Sequence, residues 1–245
     1  MLNTRQKIRK TLLLIAVLAF PVTLYYFSPY LIIMGGFSGV LVGSAIVFVL
    51  QFLSALVLGR AFCGWVCPAG AIQEWVMGVN PRSAQSRLRN SLKYVIWVPW
   101  LATIMLAFVK AGGIHSVDFA FMTQNGVSVV DAPGYYMYAF ITTLFLLGAL
   151  IFGRRAMCHS LCWMAPFMIL GTKLRNALHA PGLHLEANPR ACVSCQLCNR
   201  KCTMGLDVQQ MVLTNKMDHN ECILCGECVD TCHKEAIRYA FLRRA

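Results

Sequence analysis

The chain has 245 residues, 58% of them hydrophobic and only 13% charged, with a formal net charge of +12. Soluble domains carry about 45–50% apolar and about 25% charged residues, so this composition excludes an ordinary soluble enzyme and points to a membrane protein. The positive balance needs no nucleic acid, because basic residues gathered on one membrane face and drawn to anionic lipid account for it.

Arg5, Lys7, Arg9 and Lys10 precede a stretch, Thr11 to Gly59, that holds no Asp, Glu, Lys, Arg or His. A span needs about 20 apolar residues, so this stretch fits two helices and a turn. A signal peptide would show a small-x-small cleavage site, and none is clear here; the first helix reads as an uncleaved span. It covers Leu12–Phe27, with Pro21 inside it and Pro29 beside it. Gly35, Gly36 and Gly39 predict the turn, and Val40–Leu58 the second span. A basic loop, Asn80 to Lys93, leads to a third span over Tyr94–Val109, bounded by lysines that can snorkel. A polar connector, Ala111 to Asp131, leads to a fourth span over Gly134–Phe152. From His179 the chain is polar. The expected division is a membrane domain, 1–178, and a small soluble domain, 179–245.

With four spans both termini lie on one side. Of the 22 Lys and Arg, only Lys110 falls at the opposite edge. The positive-inside rule therefore places both termini and the soluble domain in the cytoplasm. The two halves of the membrane domain also resemble each other. Gly59-Arg60 follows span two and leads to Cys63-Gly64-Trp65-Val66-Cys67-Pro68. Gly153-Arg154-Arg155 follows span four and leads to Cys158-His159-Ser160-Leu161-Cys162-Trp163. The expected fold is thus an α-helical membrane protein of two parallel two-helix repeats, related by an axis along the membrane normal.

Twelve cysteines in a small secreted chain would suggest disulfides. Their spacing argues otherwise. Cys192, Cys195, Cys198 and Cys202 read C-x2-C-x2-C-x3-C, and Cys222, Cys225, Cys228 and Cys232 repeat it. This is the spacing of a bacterial two-cluster ferredoxin, in which the fourth Cys of each run ligates the other run's cluster. On that pattern Cys192, Cys195, Cys198 and Cys232 hold one 4Fe–4S cluster, and Cys222, Cys225, Cys228 and Cys202 the other. Thr203 and His233 stand where such runs carry proline. Zinc also accepts repeated C-x2-C, but it has no use for a third nearby Cys with a distant fourth. The remaining four cysteines form two C-x3-C pairs. On a helix, residues four apart share a face. Cys63, Cys67, Cys158 and Cys162 then either converge on a third cluster or metal, act as redox dithiols, hold Cu(I), or simply pack as buried thiols.

The outer connector offers His115 and Asp118 as proton acceptors for a quinol, three residues apart as on a helical turn; an ordinary solvated loop is the alternative. Trp97, Trp100, Tyr135, Tyr136 and Tyr138 suit either an interfacial belt or the flanks of a quinone ring. No His lies within the four spans, which argues against bis-His haem, and the chain has no Walker motif, dinucleotide fingerprint or C-x-x-C-H.

Taken together, the spans, the two C-x3-C motifs and the doubled ferredoxin run resemble the NapH-type membrane quinol dehydrogenases. Cys63 to Pro68 carries that family's first motif; the second departs from it at Trp163. The resemblance implies a bacterial inner-membrane subunit of a respiratory complex. It would oxidise quinol and pass electrons to a periplasmic or membrane-bound redox partner, ferredoxin-like or a cytochrome c, within a hetero-oligomer. The alternative is a thiol and iron–sulfur protein that reduces or delivers copper during oxidase or reductase assembly.

Overall fold

The computed structural model describes residues 3–242. α1 (Thr4–Leu18) carries the first basic cluster, and a bend of 59° separates it from α2 (Phe20–Thr23) and the 3-10 turn Leu24–Phe27. The predicted first span is therefore broken. Pro21 has no amide hydrogen to continue α1, so the helix restarts in a new direction. α3 (Pro29–Phe37) begins at the Ser28 hydroxyl, which accepts from the Leu31 amide. Gly35 and Gly36 lie inside this helix rather than in a turn; Gly39, at φ +66°, makes the turn. β1 (Val40–Val42) then pairs in parallel with β2 (Ser116–Asp118) in the connector. Pairing holds β1 extended, so the second apolar helix, α4 (Gly43–Leu58), starts at Gly43 and not at Val40.

α5 (Ala61–Trp65) and α6 (Pro68–Trp75) are short, and α7 (Arg87–Lys110) and α8 (Ala132–Phe152) are long. α7 and α8 are each long and apolar enough to cross a membrane, and the bent α1–α2 pair would make a third span. α4, with 16 residues, falls below that length. α7 begins at Arg87, ahead of the expected Tyr94, because its first turns leave the apolar layer and enter an interface with the C-terminal domain. There the Lys93 ammonium is buried against Glu221.

α9 (Ala156–Ser160) and α10 (Met164–Ala177) complete the N-terminal part. α4 and α8 end in the same way. Each stops at a glycine of positive φ, Gly59 at +57° and Gly153 at +97°, followed by a five-residue helix and then a longer one. Glycine takes these angles without steric cost.

The C-terminal domain starts with β3 (Gly182–Ala187), followed by α11 (Leu197–Lys201), α12 (Val208–Leu213), α13 (Glu227–Thr231) and β4 (Ile237–Leu242). β4 returns antiparallel to β3, with Gly182 opposite Leu242, and closes the domain on its own ends. The hydrophobic core does not stop at the domain boundary. A single cluster joins Ala55, Ala61, Cys63, Cys158 and Met168 to Leu185, Met204, Leu206, Ile223 and Ile237.

Candidate metal centre

The two C-terminal cysteine runs adopt one local conformation, written twice. In each run the residues flanking the second Cys have positive φ: Ser194 and Gln196 in the first, Leu224 and Gly226 in the second. Each run then enters a five-residue helix, α11 or α13, that carries the third Cys, and the fourth Cys follows that helix. A backbone amide four residues on donates to the fourth sulfur: Leu206 N to Cys202 Sγ at 3.4 Å, and Ala236 N to Cys232 Sγ at 3.3 Å. α11 packs against α13, which crosses the two runs. One cavity is lined by Cys192, Cys195, Cys198 and Cys232, and the other by Cys202, Cys222, Cys225 and Cys228. All these cysteines are free thiols.

The surroundings of the two cavities differ. Cys195 is exposed, with Val193 beside it, whereas Cys202, Cys225 and Cys228 are buried. Burial pushes the Cys202 thiol up to about 11 and the Cys222 thiol up to about 12. Loading metal onto them must therefore release protons. Thr203, which replaces the usual proline, is buried and donates its hydroxyl to Cys225 Sγ at 3.5 Å. Its counterpart, His233, is exposed at the edge of the other cavity.

The C-x3-C pairs lie beneath the buried cavity. Neither pair occupies one helix face, contrary to the expectation. α5 ends at Trp65, so Cys63 is helical while Cys67 precedes α6; α9 ends at Ser160, so Cys158 is helical and Cys162 is in the following turn. Val66 and Cys67 separate α5 from α6, which starts at Pro68, and the non-helical stretch before Met164 separates α9 from α10, so each break falls between or at the paired thiols. The four cysteines are nonetheless electrostatic neighbours. Burial, reinforced by Cys63, Cys158 and Cys162, raises the Cys67 thiol well above its ordinary value. Cys63 Sγ also lies 3.4 Å from Met168 Sδ, and Gln73 donates to Cys158 Sγ at 3.1 Å. Among the described residues, no group of three or more His, Cys, Asp or Glu is close enough to hold a single metal ion.

Second positions of both motifs touch the segments that carry the buried cavity. A Cβ on Gly64 would lie 2.4 Å from the Ile223 oxygen, so only glycine lets that loop approach α5 so closely. In the other motif His159 occupies the equivalent place, and its Nε2 lies 3.0 Å from the Met204 oxygen. Burial, opposed by nearby Glu221, lowers His159 to about 4.

Two buried ion-pair groups fasten these parts together, and the sequence reading did not foresee them. Arg9 and Arg155 both bind Glu74, and Arg9 also reaches Glu227 in α13. Arg60 and Lys93 both bind Glu221. Burial works against the charge on each carboxylate, but the paired cations outweigh it and hold both at about 2. Trp65 Nε1 and Arg154 add bonds to the carbonyls of Leu224 and Cys202, and Gln6 to that of Cys225. One signal was available: Glu74 is the first acidic residue of the chain, and Asp118 the next. A lone carboxylate among so many cations is a candidate for structural pairing.

His115 and Asp118 lie elsewhere. They sit beyond the C-terminal end of α7, while Lys93 near its start meets the C-terminal domain. At 1.5 Å per residue the helix puts them about 25 Å from that interface. β2 is extended, so no helical turn brings the two side chains together. His115 Nε2 lies 2.6 Å from the Ala111 oxygen, and Asp118 accepts from the Ala120 amide. Trp97 and Trp100, both half-buried, pack edge-on against Phe167, with Tyr135 and Tyr136 exposed.

Residues 40–83 and 134–181 match a family model described as a 4Fe-4S binding domain. These segments contain the two C-x3-C pairs, and the match supports iron–sulfur binding by this chain. It is similar to an uncharacterised protein of Methanocaldococcus jannaschii, 28% identical over 87% of this chain and 85% of that one. Protein NirI of Paracoccus denitrificans is 28% identical over 72% of this chain and 25% of its own length. YccM of Escherichia coli, whose name proposes an electron transport protein, is 25% identical over 83% of this chain and 57% of its own. This chain thus spans a quarter of NirI and just over half of YccM. No solved structure matches it. The matches support an iron–sulfur protein with a general role in electron transfer.

Proposed function

We propose that this chain is a membrane electron-transfer subunit of the NapH type, oxidising quinol and relaying electrons through iron–sulfur clusters to a redox partner. The observation that carries this reading is the stacking of thiol sites: a buried four-cysteine cavity sits directly on the segment holding Cys63, Cys67, Cys158 and Cys162. Cys192, Cys195, Cys198 and Cys232 would hold one 4Fe–4S cluster, Cys222, Cys225, Cys228 and Cys202 a second, and the two C-x3-C pairs a third. The residues fit. Each set offers four free thiols, and none is tight enough for a single ion, whereas a four-iron cube holds its thiolates farther apart. When bound, such a cluster supplies a one-electron redox centre. The chain's own groups hold the sulfurs in place: the Leu206 and Ala236 amides and the Thr203 hydroxyl donate to them, and Arg154 holds the Cys202 carbonyl.

Arg5, Arg9, Arg60, Lys93, Arg154 and Arg155 all contact the C-terminal domain or its anchoring carboxylate, which puts these cations on one face. The positive-inside rule makes that face cytoplasmic, with four spans and both termini inside. The shared succession of elements after α4 and α8 supports a parallel repeat. A terminal acceptor outside the membrane would then require a partner subunit to carry electrons across.

One contact favours the second reading, copper handling. The Met168 thioether beside Cys63 offers the soft sulfur set that selects Cu(I). Reconstitution in liposomes separates the two. Ubiquinol or menaquinol should bleach the visible absorption of the clusters; reduced clusters that Cu(II) reoxidises, with no response to either quinol, would overturn the quinol reading.

A further inference from the structure

An apolar cavity of about 460 Å³ opens beside the stacked thiol sites, lined by Leu58 of α4, Phe62 and Trp65 of α5, Leu183 of β3, Tyr239 of β4 and Arg5 of α1. We infer that this cavity, and not the His115–Asp118 connector, receives the head group of an isoprenoid quinone. The inference deepens the quinol reading and rests on it.

Cavity and cysteines share their walls. The Trp65 indole N–H and the Tyr239 hydroxyl both donate to the Leu224 carbonyl, at 3.0 and 2.7 Å, and Leu224 immediately precedes Cys225. Phe62 immediately precedes Cys63. One layer of aromatic side chains therefore separates the cavity from both the buried C-terminal site and the C-x3-C site. The His115–Asp118 connector, by contrast, pairs through β2 with β1 at the start of α4, and Leu58 lies at the other end of that 16-residue helix, about 22 Å along its axis.

The mouth is apolar. Leu58 and Val66 are 44% and 45% exposed, and they continue the exposed face of α4 that holds Val49, Leu50, Leu53 and Val57. A ligand with a long hydrocarbon tail can enter from that side with its tail still in lipid. The volume lies within the roughly 300–1,000 Å³ of small-molecule sites, and the lining follows their pattern of apolar walls with few polar groups.

Arg5 selects among lipophilic ligands. Its guanidinium stands 5.0 Å from the Tyr239 ring centre and 2.8 Å from Asp230. Paired with a carboxylate, it contributes hydrogen-bond donors with little net charge. That suits a neutral quinone carbonyl better than the phosphate of a phospholipid, which would compete with Asp230 for the same donors.

Photolabelling of the full-length, cluster-loaded protein in liposomes tests the assignment. An azido-quinone should label peptides containing Phe62–Val66 or Tyr239. Leu58→Trp, which fills the mouth, should weaken that labelling about tenfold, because extra bulk in a packed site must displace the ligand. Iron content and the cluster absorption spectrum should stay unchanged. Label on residues 111–131, or labelling of the cavity that phospholipid abolishes and excess unlabelled quinone does not, would overturn the inference. Quinol-dependent cluster reduction is read separately. Cavity labelling without cluster reduction upholds the binding site and defeats the quinol-oxidation reading. Reduction that persists in Leu58→Trp at the parent rate defeats the site and leaves that reading standing.

Discussion

The two four-cysteine cavities of the C-terminal domain share a backbone and differ in almost everything around it. Both runs bend through positive φ on either side of the second Cys, and both receive an amide hydrogen bond at the fourth. One cavity keeps Cys195 exposed; the other is sealed by the N-terminal part through Gln6, Gly64, Trp65 and Arg154. Spacing dictates how a run folds on itself. Tertiary contact dictates what the sulfurs experience, and hydrogen bonding and solvent exposure tune iron–sulfur potentials. On the proposed function, the buried site would exchange electrons with the membrane half and the exposed site with a partner.

The largest effect expected comes from the crossing of ligands. Cys202→Ser should remove iron from the buried site, about four of about eight irons in the domain, although Cys202 belongs to the first run. Cys232→Ser should empty the exposed site instead. Iron analysis with electron paramagnetic resonance would expose an uncrossed arrangement, because each variant would then affect its own run.

Arg9→Ala comes next. It leaves Glu74 and Glu227 short of a buried cation. Loss of one partner from a buried ion pair costs about 3–5 kcal/mol. Thermal melts should show that loss, together with a disturbed spectrum for the buried site and an unchanged one for the exposed site. Equal disturbance of both would remove the distinction between them.

A smaller effect is expected from acid. Glu74 titrates at about 2 in the fold against an ordinary 4.5. As pH falls, the unfolded chain takes up the proton first, so stability present above pH 4.5 declines as pH falls toward 2. Glu74→Gln lowers stability at neutral pH and should flatten this decline. Melting temperatures at pH 7, 4 and 3 provide the check, and parallel curves for parent and variant would rule out this contribution.

Thr203→Val should act least. Removing the O–H···S bond to Cys225 forfeits on the order of 1 kcal/mol, or some tens of millivolts for a one-electron couple. Potentiometric titration should show the buried site shifted to lower potential and the exposed site unmoved.

Part of this was legible in the sequence. The doubled run implied two crossed cysteine sets, and the structure lines each cavity with such a set. α8 covers the expected fourth span. Other expectations failed for local reasons: Pro21 breaks the first span, strand pairing shortens the second, and the C-x3-C pairs do not share a helix face. The basic residues taught most. Arg9, Arg60, Lys93 and Arg155, counted in the sequence only toward a charge bias across the membrane, are also buried in ion pairs that fasten the C-terminal domain.

The sequence by itself determined the cysteine loops, the long apolar helices and the excess of positive charge, because each depends on neighbours within a few residues or on simple composition. Only the tertiary structure decided which cysteine site is buried, which carboxylate neutralises which arginine, and where an apolar cavity meets the thiols. Those outcomes depend on contacts such as Arg9 with Glu227 and Trp65 with Leu224, between residues well over a hundred positions apart, and no local spacing encodes them.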